Sequence, residues 1–557
     1  MKIAQLSAVF GASALFAACG SSAGSSAADA GGADSTLAAG TPTFHKDVEP
    51  ILQQKCQGCH SGTGIAPFAL MTYADAKLRA VSMISDIEAG KMPPWGAQDT
   101  AECKPRFPWQ HDLRVTPTEL KTLKDWVDAD RPEGDPADAP KAGAAPTLAL
   151  TNVDATVKPD KPYVASGLND QMRCFLIDPK LTERKYLNGI QVIAGNPLVV
   201  HHVLVFADPQ NEGAKLADAD GQYDCFGGVG LQNPKLIEAW APGGVPLEFP
   251  PNVGTPLDAG THFVMQVHYH PAGAKAADPD LTQVQLRFTK EVPEWTGASV
   301  LIGNFPQAMG NDGLLPGEDD PVSGPAFIIP PGKAAHVESM RFTVPSSFGK
   351  DATGKAIPTP DLHIYGVGTH MHYVGRDMKI WAERAFAKAP CTAAQLGPVQ
   401  ACTDKNCPGA AGGDLISCAQ SKCATEAAAL AGTCGDCITQ GVVAGQQVSA
   451  IATSCQQIQA KPANITDPAS ECFVQTPEWD FNWQRIYNYA KPIEELPILR
   501  AGDALNMRCT YDNTLNNPFV KIALGLKNLA EPVQVKLGET TLDEMCLSIL
   551  QVVFKAK

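Results

Sequence analysis

The sequence predicts a multidomain chain: a small all-α domain first, then an antiparallel β-sandwich body that carries a cysteine-rich helical insert. Three observations predict it. At 557 residues the chain is too long for one hydrophobic core. Its 45 prolines and 49 glycines punctuate short runs of strand-forming residues. Nine of its 17 cysteines fall between residues 391 and 472. A net charge of −15 without a basic cluster excludes nucleic acid as a partner.

The N-terminus carries an export signal. Lys2 precedes an apolar run from Ile3 to Ala18, and Phe16-Ala17-Ala18-Cys19 has the small residues of a lipoprotein cleavage site. Residues 1–18 are therefore expected to be a signal peptide, Cys19 the lipid-anchored new terminus, and residues 19–42 a flexible tether. An ordinary secretory signal is the alternative. Gly20, rather than Asp, after the cysteine resembles outer-membrane sorting signals. No later apolar run is long enough to cross a bilayer. In the oxidising compartment that export implies, cysteines pair.

Residues 43–133 form the expected helical domain. One helix spans Phe44 to Lys55. A second, Tyr73 to Gly90, carries Leu78, Val81, Ile84 and Ile87 on one face. The third starts at Thr116 as N-cap, with Pro117 in the first turn, Glu119 closing a capping box, and Leu120, Leu123 and Val127 on one stripe. After the first helix comes Cys56-Gln-Gly-Cys59-His60. This pattern attaches haem c: two thiols add to the haem vinyl groups and His60 ligates the iron. A structural zinc site is the alternative. Three helices around one such motif resemble a small class I cytochrome c. Met92, held on a stiff loop by Pro93 and Pro94, is the expected sixth ligand, with His45 and His111 as alternatives.

Residues 131–147 lack apolar periodicity and predict a linker, which we bound at 134–160, able to let the helical domain swing against the rest. Strand-like runs follow at Met172–Ile177, Ile190–Ala194, Leu198–Phe206, Phe263–His270, Val284–Phe288 and Ser299–Ile302. They resume from Ala326 and end with Leu547–Phe554. The insert, 391–472, holds Cys391, Cys402, Cys407, Cys418, Cys423, Cys434, Cys437, Cys455 and Cys472 among alanine-rich helical stretches. So small a unit needs disulfides to stand, although Cys434-Gly-Asp-Cys437 leaves a metal site open.

Three histidine pairs punctuate the β-rich body: His201-His202, His268-Tyr-His270 and His370-Met-His372. Neutral imidazoles suit copper, and a thioether favours Cu(I). Residues i and i+2 share one face of a strand, so the second and third pairs can each grip one ion. Adjacent His201 and His202 share one only at a bulge or strand end.

Four stretches in order, Val-His201-His202-Val-Leu-Val-Phe, Met-Gln266-Val-His268-Tyr-His270, His370-Met-His372-Tyr-Val-Gly375-Arg376 and Asp543-Glu544-Met545-Cys546, resemble the copper type II, ascorbate-dependent monooxygenases. The resemblance covers about residues 165–557 without the insert. It implies two jelly-roll-like domains, 161–293 and 294–557, facing each other across a water-filled cleft, with one copper ion on each. It assigns His201, His202 and His268 to an electron-storing copper, and His370, His372 and Met545 to the copper where oxygen is activated. His270 becomes a second-layer candidate. Cys174 with Cys225 and Cys509 with Cys546 match disulfides of that family, while His336 and His363 match no ligand. Where peptidylglycine-hydroxylating members hold a substrate carboxylate, this chain has Gly368, Leu547 and Ile549. The resemblance therefore implies a weakly polar substrate.

Together these features predict an exported, lipid-anchored copper monooxygenase. It would hydroxylate a C–H bond of a small molecule with O₂ and draw electrons through its own haem c from a periplasmic donor or an ascorbate-like reductant. A copper-binding electron-transfer lipoprotein without oxygenase activity is the alternative.

Overall fold

A computed structural model describes residues 38–556 apart from 39, 62–65, 141–148, 168, 233, 272–277, 305–312, 322–324, 351–352, 388, 390, 411, 429, 431–432, 444–447 and 457–465. The expected signal peptide, Cys19, most of the expected tether and the centre of the expected linker lie outside the described residues.

The N-terminal segment is helical because its caps are local and strong. A short π-turn, Phe44–Val48, runs into the helix Glu49–Lys55, which ends at Cys56. The helices Tyr73–Glu88 and Pro117–Asp128 both start in reciprocal capping boxes, Thr72 with Asp75 and Thr116 with Glu119. They pack around Phe44, Leu52, Leu123 and Trp126. The buried face of Tyr73–Glu88 differs from the expected stripe. Ala76, Ala80 and Met83 are buried, Ile84 and Ile87 pack partly, and Leu78 and Val81 are exposed. Small alanines let this helix approach its neighbours closely, which a stripe chosen by side-chain size overlooks.

The body is β-sheet. A five-stranded sheet runs Gln222–Asp224, Gln171–Ile177, His262–Tyr269, Val200–Asp208, Lys235–Trp240. A four-stranded sheet runs His336–Thr343, Ala504–Tyr511, Gly375–Glu383, Ser470–Thr476. A ten-stranded sheet serves both halves. Lys185–Ile193 and Gln283–Phe288 lie in its first half, and Trp295–Asn304, Cys546–Lys555, Leu362–His370 and Ile486–Asn488 in its second. The halves join where Trp295 and Thr296 pair in parallel with Val253 and Gly254. One apolar core is continuous from Val203 in the first half to Val553 at the end of the chain.

Between Glu383 and Ser470 the described residues form five short helices of the insert, from Ala393–Asn406 to Val448–Cys455. Its staples are Cys391–Cys434, Cys402–Cys423, Cys407–Cys418 and Cys437–Cys455. Cys472 lies outside it: this residue sits in the strand Ser470–Thr476 and bonds Cys103 of the N-terminal segment. Cys174 bonds Cys225, and Cys509 bonds Cys546. Among the described residues only Cys56 and Cys59 carry no disulfide. Seven disulfides mark a protein of an oxidising compartment, and no described helix is long and apolar enough to cross a membrane.

The N-terminal segment is fastened to the body. Besides Cys103–Cys472, Arg106 pairs with Asp467 at 2.7 Å and Glu471 at 2.8 Å, and Glu102 pairs with Arg508 at 2.7 Å. Trp109 stacks on Tyr489 with ring centroids 4.7 Å apart. The swing expected of the linker finds no support here, because the fastening lies upstream of the linker.

Candidate metal centre

Adjacent histidines on a regular strand point apart, yet His201 and His202 meet. The ladder between Val200–Asp208 and His262–Tyr269 shifts register between Val200 and His202, so His201 is the extra residue of a bulge. His268 lies directly across from His202 in that ladder. One ligand atom from each of His201, His202 and His268 falls within 4.8 Å of the others. The Nδ1 atoms of His202 and His268 are 3.2 Å apart. Both ring nitrogens of His201 are buried without a hydrogen-bond partner. Buried imidazole nitrogens left bare at this spacing fit a metal ion.

His370 ends its strand and His372 lies two residues on, their ring centroids 5.1 Å apart. His370 Nδ1 donates to Gln484 Oε1 at 2.7 Å, and His372 Nδ1 faces the Asp543 carbonyl at 3.2 Å. Each ring therefore presents Nε2 to the cavity beside it. Leu547 pairs with His370 across the ladder, and Met545, two residues earlier, is buried in the wall of the same cavity. Tyr511 donates its hydroxyl to the Met545 carbonyl at 2.9 Å. The Cys509–Cys546 disulfide fastens the next residue.

The two histidine sets are neighbours rather than opposite walls of an open cleft. The rings of His202 and His370 have centroids 4.9 Å apart. Gln484 Oε1 accepts from His370 and lies 3.2 Å from His202 Nε2, while its amide nitrogen donates to the Phe481 carbonyl at 3.0 Å. The amide is thus oriented, and its one oxygen fixes a tautomer in each set: Nδ1 of His202 and Nε2 of His370 are left for metal.

Burial, then the mutual proximity of the rings, pushes His201, His202 and His372 well below the usual histidine range. Burial takes His370 down to about 4. All four are neutral at physiological pH, the form that binds copper. Asp170 stands behind the first set. Burial alone would raise its carboxyl, but the imidazoles of His268 and His270 hold it well below the usual carboxylate range. His270 does not join the metal group. Its Nδ1 meets Asp170 at 2.5 Å and its Nε2 the Tyr373 hydroxyl at 3.1 Å. His336 is held by Asp319 and Glu338, and His363 donates to the Ile493 carbonyl at 2.7 Å.

A cavity of about 960 Å³ adjoins both sets, with His202, His268, His370, His372 and Met545 in its wall. Gly368, Leu547 and Ile549 form its floor together with Leu301 and Ile486. A Cβ at residue 368 would lie 2.9 Å from Ile486 Cγ1, so the glycine is set by the side chain packed over it. Gln551 and Asn488, hydrogen-bonded at 2.6 Å, add a polar end.

At the N-terminal segment, His60 is buried and its Nδ1 donates to the Phe68 carbonyl at 3.0 Å, leaving Nε2 free for iron. With Cys56 and Cys59 beside it and unpaired, the donor set fits a covalently attached haem. Met92 is two-fifths exposed on its loop. Of its alternatives, His45 is engaged by Glu49 at 2.8 Å, while His111 adopts a left-handed backbone at φ 50°.

Sequence reasoning missed the roles of Gln484, Asp170 and Tyr373. Each meets a histidine at least 100 residues away in the chain, and although Tyr373 follows His372 in a quoted stretch, nothing there points to His270.

The comparisons agree with the first set. Residues 169–276 match the family described as copper type II ascorbate-dependent monooxygenase, N-terminal domain. This stretch contains His201, His202 and His268, so the match to a domain of copper-dependent oxidoreductases covers the residues that the structure gathers in the first set. No curated protein matches the sequence. Solved structures it is similar to include the major capsid protein P2 of bacteriophage PM2 (8% identity, TM-score 0.20, 72% of this chain and 98% of that one). Peptide:N-glycosidase F of Flavobacterium meningosepticum is another (10% identity, TM-score 0.20, 72% and 99%). Superposition at that level carries no argument about fold or activity.

Proposed function

We propose that this chain is an exported, lipid-anchored copper monooxygenase that hydroxylates a C–H bond of a small, weakly polar molecule. The balance is R–H + O₂ + 2e⁻ + 2H⁺ → R–OH + H₂O. The observation that carries the reading is that His202, His268, His370, His372 and Met545 line one end of a largely apolar cavity, with His201 buried in one group with His202 and His268. Copper would be held by His201, His202 and His268 in one set and by His370, His372 and Met545 in the other. Bound there, copper supplies the one-electron and oxygen chemistry that no side chain can.

The protein's own contributions are positional. Gln484 and the Asp543 carbonyl orient the rings of the second set, and Asp170 with His270 backs the first. Tyr511 and the Cys509–Cys546 disulfide hold the backbone beside Met545. The apolar floor of Leu301, Ile486, Leu547 and Ile549 seats an uncharged substrate and keeps water from the reacting bond. Residue 368 brings no cation to that floor, so a carboxylate seated there is left to the cost of desolvation, while Lys235 and Arg485 stand elsewhere in the cavity wall. Cys56, Cys59 and His60 would hold haem c, with Met92 as sixth ligand, and haem supplies single electrons from a periplasmic donor or an ascorbate-like reductant.

The test is Met545→Ala. Hydroxylation should be lost while the His201/His202/His268 set still fills with copper, read by metal analysis and by product formation under O₂. Full activity in that variant would remove Met545 and its set from the oxygen chemistry.

A further inference from the structure

The strand Ile486–Asn488 and the residues that lead into it are a partition with two different faces. Side chains alternate across extended backbone. Gln484, Ile486 and Asn488 face the cavity: Gln484 reaches His202 and His370, Ile486 packs over Gly368, and Asn488 bonds Gln551. Arg485, Tyr487 and Tyr489 face the N-terminal segment. The Arg485 guanidinium lies 4.7 Å from the ring centroid of Trp95, close enough to Cys59 for its charge to bear on that thiol. Tyr487 accepts the Gly96 amide at 2.8 Å, and Tyr489 stacks on Trp109. Just before them, the Trp483 indole donates to the Pro94 carbonyl at 3.1 Å.

Arg485 is 7% exposed and makes no salt bridge among the described residues. A buried guanidinium held by the Trp95 ring and the His111 carbonyl, which its Nη2 meets at 3.5 Å, rather than by a carboxylate is costly to place, so the contact it makes with the N-terminal segment is a built one. Gln484 and Arg485 are consecutive residues. From Trp95 to His370 the path is one side chain, one peptide unit, a second side chain and one hydrogen bond. The Cys103–Cys472 disulfide and the Arg106 ion pairs hold both ends in place.

We propose that Trp483, Gln484 and Arg485 form a fixed electron bridge between the Cys56–His60 segment and the copper histidines, working without domain movement. The inference rests on the reading that haem c and copper occupy those two places. One electron crosses per event: the haem iron goes from ferrous to ferric and one copper from cupric to cuprous, with no atom or proton transferred. The external donor named above re-reduces the haem.

The experiment uses the full-length, copper-loaded protein under anaerobic conditions. A light pulse on an added flavin photoreductant with a sacrificial amine donor delivers one electron to the ferric haem, and the haem absorbance reports its reoxidation by cupric copper. A fixed bridge gives a rate that stays constant when glycerol raises the viscosity severalfold. Arg485→Leu should slow it severalfold, and Arg485→Lys should recover part of the loss, with haem and copper contents unchanged in both. A rate that falls in proportion to viscosity would overturn the bridge and restore a swinging domain, and an unaffected rate in Arg485→Leu would remove Arg485 from the path. A preparation with no covalent haem by pyridine haemochromogen assay, or no copper at the histidines, would overturn the underlying reading and the bridge with it.

Discussion

Gln484 is one amide oxygen serving two histidine sets. Because its nitrogen is committed to the Phe481 carbonyl, it cannot flip without losing three contacts at once. Gln484→Leu should therefore weaken copper binding by about 10–100-fold and change the cupric paramagnetic resonance signals of both sets. Gln484→Glu, which keeps the acceptor, should preserve more of both. A second residue-scale consequence concerns Glu238, a buried carboxyl in the strand Lys235–Trp240. One of its oxygens takes only the Ala239 amide at 3.0 Å and the other has no partner. Burial pushes its pKa up to about 8 from 4.5. The folded state thus holds this proton more tightly than the unfolded chain. The stabilisation is complete below pH 4.5 and is lost as pH rises toward 8. Glu238→Gln should match the native protein in thermal stability near pH 4.5 and exceed it increasingly up to pH 8. A gap independent of pH would contradict the buried acid.

At the scale of elements, the insert and the N-terminal helices show how much sequence can tell. The capping box at Thr116 was legible because its determinants lie within four residues, while the equally local box of Thr72 with Asp75 was not read. Which face of Tyr73–Glu88 is buried was not, because alanines at 76 and 80 decide it through contact with other helices. The bulge at His201 was legible only as a requirement of chemistry. No residue nearby encodes it, and the ladder with His262–Tyr269 creates it. In the insert, Cys391, Cys407, Cys434 and Cys455 are themselves among the nine residues of the buried core. Disulfides there replace packing. Converting Cys402 and Cys423 to serine should destabilise the insert by about 2–4 kcal/mol, as seen by local proteolysis, with copper content of the body unchanged. Loss of copper in that variant would show that the insert supports the centre.

At the scale of the whole molecule, two features lay beyond sequence. The two sandwich halves share a sheet through a two-residue parallel pairing, and the N-terminal segment is fastened by a disulfide spanning 369 residues. Pairings this distant depend on tertiary contact, so neither spacing nor periodicity announces them. What the sequence carried well was the grouping of His201, His202 and His268 and the expectation that cysteines pair, which Cys103–Cys472 extends to the N-terminal segment. The architecture then brings these places together. Lys55 donates to the Asp112 carbonyl at 2.9 Å, and the Gln110 amide donates to the Asn488 carbonyl at 2.7 Å, so the helical segment continues into the wall of the cavity. On the proposed function, one chain stores three electrons, one in haem c at Cys56 and Cys59 and one at each histidine set. Anaerobic titration of the fully reduced, copper-loaded protein with a one-electron oxidant tests it most directly. Three equivalents per chain should be taken up, one of them tracked by the haem spectrum, and His370→Ala should remove one. A native count of one, or a count unchanged in His370→Ala, would contradict it.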